Sequence, residues 1–170
     1  GEGQRRLASA RVAVIGAGGI GSPVIQYLAA AGVGTLVLID DDVVALSNLQ
    51  RQTIYRTVDA DRPKVDAAAE AGAAINDDVA FVTHRARLTA ENVDGLLAGA
   101  DVIVDGCDNF ETRLIVADAA LRGQIPLVSA AVDQFEGQLA LYRGWEADKP
   151  CYRCFVGHDP ARPEMSCADR

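Results

Sequence analysis

The hydrophobic positions of the chain fall into short blocks separated by glycines or acidic residues. Arg11-Val12-Ala13-Val14-Ile15 is the first, four apolar residues in a row that run into a glycine turn. A run without polar alternation predicts a strand covered on both faces, as in parallel sheets. Ile20 to Ala31 is small, apolar and helix-permissive, and Gly32 and Gly34 predict its end. Thr35-Leu36-Val37-Leu38-Ile39 is a second buried strand, closed by Asp40-Asp41-Asp42. Strand, glycine turn, helix and strand in succession make a βαβ unit.

The same reading continues to Tyr142. It predicts a helix over Pro63 to Asn76, with Asp61 as candidate cap and Pro63 in the first turn. It then predicts a strand over Val79 to Thr83, a helix over Thr89 to Leu97, a strand over Asp101 to Asp105 and a helix over Asn109 to Arg122. Two strands follow, Pro126 to Ala130 and Gln138 to Tyr142, and the short Glu136-Gly137 approach predicts that the second runs antiparallel. Such alternation predicts a Rossmann-like α/β domain: an open, mostly parallel sheet with helices on both faces and antiparallel pairing toward the C-terminus. No repeat or linker interrupts it, so residues 1–170 are expected to form a single domain. The pattern changes only near Gly144, where strands give way to a loop carrying Cys151 and Cys154.

Composition narrows the function classes. With 170 residues the chain can bury one sizeable core. No apolar run approaches the roughly 20 residues that span a bilayer, and no apolar signal core follows Arg5 and Arg6. A cytoplasmic protein with no membrane partner is expected. The net charge of −8 argues against nucleic acid, which calls for a basic footprint. Four cysteines do not make a secreted disulfide scaffold at this length. Two of them, in Cys151-Tyr152-Arg153-Cys154, have a metal or redox spacing, while Cys107 and Cys167 stand alone.

The chemistry begins at Gly16-Ala17-Gly18-Gly19-Ile20-Gly21, which matches G-x-G-x-x-G between a strand and a helix. Gly16, Gly18, Gly19 and Gly21 permit a tight turn whose backbone N–H groups can approach a phosphate. Asp40, at the end of the second strand, stands where a carboxylate can accept hydrogen bonds from ribose hydroxyls. These features alone say only nucleotide. Asn48, Arg51, Gln52 and Lys64 lie beyond what a minimal NAD fold needs there, and Arg and Lys near such a turn can neutralise a triphosphate. Asp108 follows the fourth strand, in the crevice at the strand C-termini, and can hold Mg²⁺ against phosphates or cap the next helix.

Taken in order, Gly16 to Pro23, Ser47-Asn48-Leu49-Gln50-Arg51-Gln52, Arg62-Pro63-Lys64, Asp105-Gly106-Cys107-Asp108-Asn109 and Cys151-Tyr152-Arg153-Cys154 resemble the ThiF/MoeB family, related to the ubiquitin-activating enzymes. The likeness runs from about Arg11 to Cys167, and the Asn-Leu-x-Arg-Gln block is its most specific part. The resemblance implies an ATP-dependent adenylyltransferase acting on the C-terminal glycine carboxylate of a ubiquitin-like sulfur carrier, in thiamine, molybdopterin or related sulfur transfer. It implies that the glycine turn faces the ATP phosphates and Asp40 the ribose. Asn48, Arg51 and Lys64 grip the triphosphate, Gln52 supports their loop, and Asp108 holds Mg²⁺. Positioning two anions and dispersing charge is the main catalytic task, which suits a site with no evident Ser-His pair.

The resemblance also implies a structural Zn²⁺ on Cys151 and Cys154 with two later cysteines, a symmetric homodimer, and for Cys167 a place on a loop crossing the site, with a catalytic role in some members. In the family an N-terminal arm supplies an arginine to the partner's site. Arg5 and Arg6 lie in a segment that does not match that arm, and both ends of the chain read as trimmed. Two other readings stand beside this one. An NAD-dependent oxidoreductase accounts for the glycine turn and Asp40 alone, and an inactive relative would bind and present a partner.

Overall fold

In the computed structural model, residues 1–157 are described. The first buried block forms β1 (Arg11–Ile15), preceded by a helix, α1 (Glu2–Ser9). The glycine turn leads into α2 (Gly21–Ala31), which ends at Gly32 in the left-handed region (φ 78°), and β2 (Thr35–Ile39) completes the βαβ unit. A long irregular connection, with short 3₁₀ turns at Leu46–Asn48 and Thr57–Asp59, precedes α3 (Lys64–Ile75) and β3 (Ala80–His84). Then come α4 (Val93–Leu96), β4 (Val102–Asp105), α5 (Phe110–Gly123), β5 (Leu127–Asp133), β6 (Glu136–Tyr142) and α6 (Tyr152–Val156).

The strands make one six-stranded sheet in the order β3-β2-β1-β4-β5-β6. All pairs are parallel except β5 with β6, which closes as an antiparallel hairpin. Two apolar clusters sandwich the sheet. Val12, Val14, Leu36 and Leu38 face Ile25 of α2 and Val65 of α3, while Ala13, Ile15, Val37 and Ile103 face Val93 of α4 and Val116 of α5. Successive side chains of β1 and β2 thus enter opposite cores, which is why both strands read as unbroken apolar runs. Strand order reverses between β1 and β4, and nucleotide crevices open at such switch points. No helix among the described residues is long and apolar enough to cross a membrane.

Three expectations are corrected locally, and one helix had not been foreseen. Helix α3 starts at Lys64 with Pro63 at its cap position, while Asp61 has a positive φ of 66° in the preceding turn and caps nothing. The helix expected over Thr89 to Leu97 shrinks to Val93–Leu96, because Asn92 Oδ1 takes the Thr89 N–H and Nδ2 bonds the Arg87 carbonyl. An Asx arrangement of this kind competes with helical bonding. The stretch from Cys151 is not simply a loop, since Cys151 caps α6. Helix α1 had no apolar signature to reveal it: none of its residues is buried, and Gln4 Nε2 ties it to the Ala31 carbonyl at 3.1 Å.

Candidate nucleotide site at the glycine turn

The glycine turn leaves β1 through Gly16, whose φ of 83° favours glycine and whose N–H bonds the Ile39 carbonyl at 2.9 Å. A Cβ on Gly21 would stand 1.9 Å from the Gly16 carbonyl oxygen, so only glycine lets the chain double back into α2 here. Ala17 is held through both of its backbone groups. Its N–H donates to Asp40 Oδ2 at 2.7 Å, and its carbonyl accepts from the buried Tyr55 hydroxyl at 2.7 Å. Burial raises the Asp40 carboxyl above its ordinary value, against backbone N–H donors and Lys64 that pull it down. Both Asp40 oxygens already accept backbone bonds, the second from Asp42 N at 2.8 Å, so this carboxylate builds the turn as well as standing beside it.

The 46–59 connection lies over that turn. A Cβ built on Gly19 would stand 3.7 Å from the Arg51 side chain, and one on Gly18 would stand 3.7 Å from Gln52 Nε2. Asn48 organises this loop: its carbonyl accepts the N–H groups of Arg51 and Gln52, and its Oδ1 accepts from Arg51 Nη2 at 3.2 Å. Gln52 is only 3% exposed and its Oε1 has no hydrogen-bond partner among the described residues. The buried amide of Gln52 thus fills the gap between loop and turn.

Lys64 is withdrawn from solvent. Its side chain is only 6% exposed, and Nζ pairs at 2.7 Å with Asp42, which is 69% exposed. Burial follows from its place at the start of α3, directly after Pro63 bridges to Val43. The carboxylates of Asp40, Asp41 and Asp42 come within 4.8 Å of one another. Backbone bonds to Asp40 and the Lys64 pair on Asp42 already spend much of that charge.

β4 brings in the other wall. The Gly106 N–H bonds the Ile15 carbonyl at 2.9 Å, and a Cβ on Gly106 would meet Ile20 at 2.9 Å, so this loop abuts the glycine turn. Asp108 is exposed beyond it. It does not cap α5. Asn109 does, accepting the Thr112 N–H at 2.8 Å. Beneath lies a buried cluster that sequence reasoning missed. Arg113 Nη1 reaches Asp105 Oδ2 and Ser129 Oγ, each at 3.3 Å, and Nη2 bonds the Cys107 carbonyl. No local pattern announced it, because Asp105, Arg113 and Ser129 come from β4, α5 and β5 and meet only in the fold. Burial pushes the Cys107 thiol well up, as expected of an inert filler.

A cavity of about 580 Å³ opens from Arg113 and Ser129 toward Leu139, Leu141, Tyr152 and Phe155, between β6 and α6. The Cys151 and Cys154 sulfurs lie 3.3 Å apart on this side. Burial would raise the Cys151 thiol, but hydrogen bonds from Cys154 outweigh it and lower the value. Two adjacent soft donors suit Zn²⁺, and an exposed hard carboxylate such as Asp108 suits Mg²⁺. Cys167 and His158 lie outside the described residues.

Residues 1–170 match the ThiF family. The chain belongs to it. A SAMP-activating enzyme E1 of Haloferax volcanii is 48% identical over 159 residues, covering 94% of this chain and 58% of the relative. The sulfur carrier protein adenylyltransferase of Thermus thermophilus is 44% identical over 172 residues, covering 99% of this chain and 64% of the relative. The chain therefore spans about three-fifths of each of these relatives. Among solved structures, the Escherichia coli tRNA N6-threonylcarbamoyladenosine dehydratase TcdA in complex with AMP superposes with a TM-score of 0.73 at 27% identity, over 78% of this chain and 56% of that one. E. coli MccB with AMPCPP reaches a TM-score of 0.83 over 92% of this chain and 46% of that one, at 24% identity, a likeness of fold alone.

Proposed function

We propose that the protein binds ATP at the glycine turn and adenylates the C-terminal carboxylate of a ubiquitin-like sulfur-carrier protein. The observation that carries this is the placement of Arg51 against Gly19, with the buried Lys64 acting on the adjoining Asp40. A dinucleotide pyrophosphate is already served by the turn itself, whereas a triphosphate calls for added cations. The names of the Haloferax and Thermus relatives point to the same activity.

In this reaction a carrier carboxylate oxygen bonds to the α-phosphorus of ATP, the bond from that phosphorus to the bridging oxygen breaks, and pyrophosphate leaves with the electron pair. The turn amides orient the phosphates, while Arg51, aimed by Asn48, and Lys64 spread the charge that gathers on the leaving group. Lys64 exchanges its exposed Asp42 partner for phosphate. Mg²⁺, held by Asp108, would screen the phosphate charge. The apolar cavity beside Arg113 suits the carrier's extended terminal segment, because Leu139 and Leu141 of β6 line it and it reaches Arg113, which bonds the Cys107 carbonyl. Zn²⁺ would be structural, held by Cys151 and Cys154 with two ligands from outside the described residues. A homodimer working in the cytoplasm completes the proposal.

The test is carrier-dependent exchange of labelled pyrophosphate into ATP by the full-length protein, alongside calorimetric titration with ATP and with NAD. Exchange and ATP binding are expected. Preference for NAD would overturn the assignment, and ATP binding without exchange would favour a presenting relative.

A further inference from the structure

We propose that Tyr55 is a positioning residue that sets Arg51 over the glycine turn, an inference that rests on the adenylation reading above. The hydroxyl of Tyr55 donates to the Ala17 carbonyl at 2.7 Å, and the residue is 5% exposed. Among the described residues this is the hydrogen bond that joins the 46–59 connection to the 16–21 turn. The other links there are side-chain packing of Arg51 and Gln52 against Gly19 and Gly18.

The loop is built to transmit that anchor. Asn48 O accepts from Arg51 N at 3.1 Å and from Gln52 N at 3.0 Å, and Gln52 O accepts from Tyr55 N at 3.2 Å. Asn48, Arg51, Gln52 and Tyr55 therefore move as one hydrogen-bonded unit, whose far end is pinned to Ala17. The preceding peptide unit, through the Ala17 N–H, is pinned by Asp40. Two consecutive peptide units meeting at the Ala17 Cα thus link the strand-end carboxylate, the glycine turn and the Arg51 loop. The phenol stays a donor at all working pH values, since burial and the nearby Asp40, Asp42 and Asp59 charges push its ionisation far upward.

Loss of the hydroxyl leaves Ala17 O with Ser22 Oγ, at the weak distance of 3.5 Å. The loop is then free to slide, and Arg51 leaves the place where charge develops. Displacements of this order cost up to about 10²-fold in rate.

Tyr55→Phe keeps the ring and its packing and removes the tie. Hydrogen exchange of the unliganded full-length protein should show faster exchange confined to residues 16–21 and 48–55. Pyrophosphate exchange should fall roughly tenfold in kcat, with the KM for carrier unchanged. In an Arg51→Ala background, adding Tyr55→Phe should change the rate less than twofold, because the tie acts through Arg51. Unaltered hydrogen exchange, or a full tenfold loss that persists in the Arg51→Ala background, would overturn the proposal. Wild-type protein that binds ATP but performs no exchange would overturn the adenylation reading instead; the same double-mutant cycle on ATP affinity then decides the role of Tyr55.

Discussion

Lys64 and Arg113 are both cations withdrawn from solvent, one on each side of the β1–β4 switch point, yet their partners differ. Arg113 is enclosed with Asp105, Ser129 and the Cys107 carbonyl, and its carboxylate partner is as buried as it is. Among the described residues, Lys64 has one ion-pair partner, Asp42, and that partner faces solvent. A buried charge whose donors are saturated by buried acceptors holds elements together, here β4, β5 and α5. A buried charge whose partner can be left to water is available to a ligand. The difference teaches how to tell a structural cation from a ligand-binding one when both read as charged residues near a strand end.

The comparison breaks most visibly if Arg113 is removed. Arg113→Ala strands the buried Asp105 carboxylate, and a broken buried pair costs about 3–5 kcal/mol, or roughly 10 °C in thermal midpoint for a domain of this size. Calorimetry is expected to show that loss with or without nucleotide. Lys64→Ala should show the reverse pattern. The folded protein survives with a small change in midpoint, because Asp42 is already solvated. The pyrophosphate exchange rate, however, falls about 10²–10³-fold, the scale for one transition-state donor. Arg51→Ala should match it in rate. Equal destabilisation by Arg113→Ala and Lys64→Ala would erase the distinction.

A smaller effect sharpens the structural class. Arg153, between the two cysteines, makes a bidentate pair with Asp118 of α5, both bonds 2.7 Å, and this fastens α6 to the domain. The pair is partly solvated, so Arg153→Ala should cost only about 1 kcal/mol by chemical denaturation. Rate at the glycine turn should not change.

The smallest effect is confined to acid. Asp59 is buried against Arg56 and Arg62, whose hydrogen bonds lower its carboxyl below the ordinary 3.8. A depressed folded value means that the unfolded chain takes the proton first. The stabilisation is present above 3.8 and is lost as pH falls through the lower folded value. Asp59→Asn should lower the thermal midpoint at neutral pH and flatten its decline below pH 4, a comparison made by scanning both proteins over that range.

The strands most legible in the sequence were β1 and β2, because a central strand buried on both faces must be apolar throughout. The glycine turn was legible too, since steric limits at Gly16 and Gly21 leave a local mark. Helix α1 was not, for it buries nothing, and α4 was overestimated because Asn92 spends its side chain on the turn before the helix. Among the site residues, Arg51, Gln52 and Asn48 were found by their order along the chain, while Tyr55 and Arg113 gave no local sign of what their side chains reach.

The sequence by itself determined the alternation of strand and helix, the place of the glycine turn and the family. These depend on periodicity, on sterics at single residues and on the spacing of motifs, all written locally. Only the tertiary structure decided that Lys64 is buried with an exposed counter-ion and that Tyr55 ties loop to turn. Each of those depends on which groups from distant segments meet. Their energies come from desolvation and from contacts between separate segments, 22 residues apart for Lys64 and Asp42 and 38 for Tyr55 and Ala17, and no local pattern encodes such meetings.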